Sequence, residues 1–120
     1  MPVSYFIDQN QRLVFSRLSG TVTETEVHEH NRTLRTDPDF NPSYRQLVDC
    51  TGVTEILVGT ATINAISRDQ FFTPGTRRAF IATSDAAFGL ARMFALRADG
   101  SGQTIEVFRE RRVAEEWLGM

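Results

Sequence analysis

Five side chains stand where a sheet-based fold gathers reactive groups: Asp49, Cys50, Thr51, Thr60 and Ser84. A thiol beside a carboxylate suggests a nucleophile, yet the charge of Asp49 repels a thiolate instead of lowering the thiol pKa. A base for Cys50 would have to be a histidine, and both histidines, His28 and His30, fall in the middle of the first expected helix. There they lie about 200° apart around the axis. They cannot share one metal ion, no third ligand stands near, and both read as surface histidines. One cysteine forms no intramolecular disulfide and no Cys-rich zinc site. All thirteen basic residues are arginines, which excludes lysine Schiff-base chemistry and a Walker-type phosphate lysine. Gly100-Ser101-Gly102 follows a helix, the wrong context for a phosphate loop, and Glu115-Glu116 reads as a solvated helix face. The plain readings are a buried small hydrophobe for Cys50, an Asx turn for Asp49, and helix N-caps for Thr60 and Ser84. Neither catalysis nor a metal or cofactor is expected.

The chain has 120 residues, 41% of them apolar and 23% charged, with a net charge of −2. These proportions predict one globular domain over residues 1–120. The charge balance does not suit a nucleic-acid partner, which needs a basic surface to displace counterions. The start, MPVSYFIDQNQRLVF, has no basic region followed by an apolar run, and no stretch approaches the ~20 apolar residues of a membrane span. A cytoplasmic location is the expectation.

Period-2 alternation over Val3–Asp8 and Arg12–Ser19, around the short polar Gln9-Asn10-Gln11, predicts a β-hairpin. Thr23 and Glu26 form a capping box for a helix over about residues 24–36 with a thin apolar stripe, Val27 and Leu34. A strand follows from Tyr44, ending around Asp49–Gly52. A second helix runs from Thr60 to about Phe72, stopped by Thr73-Pro74-Gly75. Arg78–Thr83 is a nearly continuous apolar run, as in a buried parallel strand. A third helix extends from the Ser84-Asp85 cap to about Ala98, a fifth strand covers Thr104–Arg109, and a last helix covers Glu110–Leu118. The order β-β-α-β-α-β-α-β-α predicts an α/β fold with a five-stranded, mostly parallel sheet and an antiparallel first strand.

That order, with LVDCTGVTEILVGTATINAIS (Leu47–Ser67), resembles the STAS domains of anti-sigma factor antagonists. GLARMFALRADG (Gly89–Gly100) and VFRERRVAEEWLG (Val107–Gly119) are more specifically similar to the SpoIIAA-like family, small bacterial relatives of that fold. The resemblance implies a SpoIIAA/STAS-like domain acting as a non-catalytic binding or regulatory module. Related folds bind apolar ligands or lipids. Asp49 matches the acid at the third strand's end, but the antagonists' Asp-Ser-Ser-Gly signature reads Leu57-Val58-Gly59-Thr60 here, without the phosphorylated serine. A phospho-switch would have to use Thr60 or Thr51.

On the third helix, Ala87, Phe88, Leu90, Ala91, Phe94, Ala95 and Ala98 fall in one arc, wide enough to face the sheet. Met93 and Leu96 lie beyond it, bordered by Arg92 and Arg97. With Phe71 and Phe72 of the second helix they form a candidate second apolar patch. It suits a homodimer contact first, since symmetry doubles a modest patch, and a protein partner or an apolar ligand otherwise.

Overall fold

In the computed structural model, which describes residues 2–120, β1 (Val3–Asp8) and β2 (Leu13–Thr23) pair antiparallel as a hairpin. The crossovers α1 (Glu24–Thr36), α2 (Thr60–Arg68) and α3 (Asp85–Asp99) lead to β3 (Arg45–Leu57), β4 (Arg77–Ile81) and β5 (Thr104–Phe108); α4 (Arg111–Leu118) ends the chain. The sheet order is β1-β2-β3-β4-β5, with every pair parallel except the hairpin. Fold class and element order are those the sequence predicts. The caps form too. Thr23 accepts from Glu26 N while Glu26 accepts from Thr23 N at 2.9 Å, and Ser84 Oγ accepts from Ala87 N at 3.2 Å.

Strand alternation divides the sheet into two faces. Leu13, Leu47, Ala79 and Ile81 meet Ala114 and Leu118 of α4. Val14, Val48, Cys50 and Ile105 point the other way, toward Leu34 of α1, Ile63 of α2 and Ala87 and Phe94 of α3. Sequential parallel strands joined by right-handed crossovers place every crossover helix on one side. One face therefore carries three helices and the other one. Each fully buried Leu or Ile contributes about 1.5–3 kcal/mol. Of the three covering helices α1 is the least anchored, with Leu34 as its one buried residue.

Three local expectations are corrected. β3 does not stop near Asp49. Its pairing with β4 ends at Asp49↔Ile81, but its ladder with β2 continues to Thr23↔Leu57. At two register shifts, opposite Arg17–Ser19 and Gly20–Thr21 of β2, β3 carries one extra residue. Gly20 takes φ 63°, which side-chain-bearing residues rarely adopt. The result is a two-stranded ribbon overhanging the sheet. Secondly, α2 ends at Arg68, because Phe72 leaves the helix to pack among Val14 and Leu34. Thirdly, Gly59 and not Thr60 is the N-cap of α2. The free Gly59 amide is taken by Glu24 Oε2 at 2.9 Å, which also accepts from Thr62 Oγ1 at 2.7 Å. A carboxylate from α1 thus does the work assigned to a local hydroxyl.

Candidate functional site

Between the sheet and its helical layer lies a cleft of about 120 Å³. Its apolar walls include Val48 and Phe80 of the sheet, Val22 and Ile56 of the overhang, Ile63 of α2 and Leu90 of α3. The overhang is what gives it depth, since β4 ends before it. A wider groove of about 420 Å³, between Val53–Val58 and Ser84–Met93, shares Ile56, Val58, Ala87 and Leu90 with it.

The cleft also has polar lining: His30, Gln46 and Arg78. These belong to a buried hydrogen-bonded chain crossing three strands. Arg78 Nε donates to Gln46 Oε1 at 3.0 Å, and Gln46 Nε2 donates to Ser16 Oγ at 3.0 Å. His30 Nδ1 lies 2.9 Å from Asn31 Oδ1, and His30 Nε2 lies 2.8 Å from Ser16 Oγ. A carbonyl oxygen only accepts, so the proton sits on Nδ1, and Nε2 accepts from the Ser16 hydroxyl. On the other side Arg78 Nη1 donates to Gln103 Oε1 at 2.5 Å, and Gln103 Nε2 donates to Ser67 O at 2.9 Å. Every bond points away from Arg78, the one member that can only donate. Ser16, Gln46, Arg78 and Gln103 are at most 6% exposed.

Arg78 is the unusual member. Among the described residues, no carboxylate lies within ion-pair distance of it. Its guanidinium packs over the rings of Phe72 and Phe94, 4.3 and 5.8 Å from their centroids. Burial pushes its pKa down to about 9, which leaves it charged at neutral pH.

The surface reading holds for His28, which is exposed, and is corrected for His30, which is half-buried against the sheet. Burial lowers its pKa, the nearby Arg78 charge adds to this, and the bond to Asn31 partly opposes it. The unfolded chain therefore binds a proton near pH 6.5 that the folded chain resists. Stability is full above that pH and falls as the pH drops from about 6.5 toward the lower folded value. Urea midpoints at pH 7.5 and 5.5 are expected to fall on acidification in the wild type and to change less in His30→Gln. The carboxylates held low titrate below this window. Equal pH slopes in the two proteins would refute the assignment.

The residues singled out by sequence do not assemble. Asp49 and Cys50 point to opposite faces. Asp49 lies 3.7 Å from both Arg17 and Arg111 on the α4 side. Burial works to raise its pKa, but two bonds from Thr51 and the two arginines outweigh this and hold it below the ordinary carboxylate value. Cys50 lines the cleft, and burial, with the Asp49 charge, pushes its pKa up to about 12, so thiolate is scarce. Ser84 is occupied as a cap, and Thr51 and Thr60 are exposed. The candidate patch divides as well. Phe72 is 3% exposed and belongs to the core. Phe71 packs at a tilt against Phe40 and Phe72, under Arg35. Met93 is half-buried against the Ile63 and Phe94 cluster. Arg97 bonds Asn64 Oδ1, and Arg92 is exposed. Only Leu96, 68% exposed, stands clear, and a lone surface leucine is ordinary.

The sequence matches no family model and no curated protein. A crystal structure of an uncharacterized protein from Shewanella loihica PV-4, described as of the DUF3478 family with a SpoIIAA-like fold, does match. It has TM-score 0.62 and 16% identity over 97% of this chain and 91% of that one. This chain has a SpoIIAA-like fold. The likeness covers the sheet and its helices alike, as the resemblance of Leu47–Ser67 and Val107–Gly119 implied. Among the described residues of this SpoIIAA-like chain, no helix is long and apolar enough to cross a membrane.

Residues 16, 46, 78 and 103 went unnoticed in the sequence. A faint signal existed: Ser16, Gln46 and Arg78 each sit two residues from an apolar residue of the helix-facing set, Val14, Val48 and Phe80.

Proposed function

We propose that this protein is a non-catalytic binding module whose site is the cleft between sheet and helices, and that its ligand is a small apolar molecule. The observation that carries this reading is the open, apolar-walled cavity of about 120 Å³. Interiors normally close-pack to leave few voids larger than water, and an apolar cavity of about 150 Å³ accepts benzene. Three helices and the sheet supply walls from different parts of the chain, and α1, the least anchored, gives the readiest opening. A homodimer through α3 has less to rest on, because Phe72 is core and, of the patch's apolar residues, Leu96 alone is largely exposed.

The test is methyl NMR with benzene as probe. Ile63 and Ile66, which line the cleft, are expected to shift on titration, and Leu13 and Leu47, on the α4 face, are expected to stay. Ala91→Phe places a ring in the cleft from α3 and should abolish the shifts. Equal shifts on both faces, or none, would overturn the reading.

A further inference from the structure

Resting on that reading, we infer that the ligand is an apolar monocarboxylic acid whose carboxylate pairs with Arg78. Arg78 is 6% exposed and lines the cleft, and among the described residues it has no carboxylate partner. Buried charges are ordinarily paired. Here the protein supplies two neutral amide oxygens, from Gln46 and Gln103, to Nε and Nη1. Among the described residues no acceptor takes the hydrogens of Nη2, and no buried polar side-chain atom is left unpartnered. The free nitrogen therefore borders the cleft's open space.

The same geometry selects among anions. Among the described residues Arg78 is the only cation lining the cleft, since burial favours the neutral form of His30. One guanidinium balances one negative charge, so a monoanion fits and a dianionic phosphate leaves charge stranded among apolar walls. Nη2, whose hydrogens have no acceptor among the described residues, can donate to a carboxylate oxygen beside the two amide oxygens already in place. The walls around it, Val48, Phe80, Ile63 and Leu90, suit a hydrocarbon tail. A chain too long for the cleft passes Ile56 and Val58 into the adjoining groove, which shares those residues. A medium-length acid such as octanoate meets all these conditions.

Calorimetric titration of the purified protein with octanoate and with 1-octanol decides the matter. Octanoate is expected to bind about tenfold more tightly or better. In Gln46→Glu, whose new carboxylate occupies Arg78 from within the chain, the two affinities should converge while octanol binding persists. Arg78→Met should converge them also. If either variant fails to fold, the wild-type Arg78 Nε–H resonance serves instead: it should move with octanoate and not with octanol. Equal wild-type affinities would overturn the carboxylate and leave the apolar cleft standing. Absence of binding by both would overturn the two together. An octanoate preference undiminished in a folded Gln46→Glu or Arg78→Met protein would remove Arg78 from the site.

Discussion

Gln46→Leu is expected to lower the stability of the fold by about 3 kcal/mol, although leucine nearly preserves the volume. Gln46 is 1% exposed and satisfies two neighbours at once, accepting from Arg78 Nε and donating to Ser16 Oγ. Leucine can do neither. Arg78 then keeps one protein acceptor, Gln103, and the guanidinium is buried with less compensation. Hydrogen bonds to charged groups contribute about 1.5–3 kcal/mol, and an orphaned buried partner adds about 1–3. Urea unfolding should show a lower midpoint at unchanged slope, the sign that stability and not the exposed surface has changed. A loss below about 0.5 kcal/mol, the range of an ordinary surface substitution, would mean that the polar chain is ornamental.

Phe94→Ala is expected to cost about 4 kcal/mol. The ring is 6% exposed, packs on Phe80 with centroids 5.6 Å apart, and covers the guanidinium of Arg78. It also lines the cleft, so its removal enlarges an existing cavity instead of creating an isolated one. That gives the variant a second signature. Toluene at saturating concentration should restore more stability to Phe94→Ala than to the wild type, because a ligand bound only by the folded state stabilises it by mass action. Thermal melts with and without toluene measure both effects. A large loss with no recovery would show that the helices collapse into the space, and that the cleft is not continuous with the position of Phe94.

The two effects bear on different parts of one design. Phe94 represents the apolar wall, where burial and close packing set the energy. Gln46 represents the polar floor, where unmade hydrogen bonds set it. Both lie on the face covered by three helices, while the Leu13, Leu47, Ala79 and Ile81 face is closed by α4 alone. The cleft could not have formed under α4, because the overhang of β2 and β3 leans its Leu18, Val22 and Ile56 toward the three-helix side.

Much of the frame was legible in the residues because it follows from short-range rules. Period-2 runs gave the hairpin, the Thr23–Glu26 and Ser84 caps marked two helix starts, and strand-helix alternation required a parallel sheet. Arg78, by contrast, looked like the polar margin of an apolar strand. Register decides otherwise: Gln46 pairs with Arg78 across the β3–β4 ladder, so their side chains meet. The separation between them is 32 residues, beyond any local periodicity. The continuation of β3 to Leu57 likewise depends on its pairing with β2, through two register shifts at which β3 carries one extra residue. Met93 and Leu96 do lie outside the sheet-facing arc of α3, but Met93 packs against the cluster that holds Ile63 of α2. Sequence periodicity determines which side chains share a face of an element. Only the tertiary fold decides which faces meet, and hence that an arginine with no acidic partner lies in an apolar cleft, since that depends on strands and helices far apart along the chain.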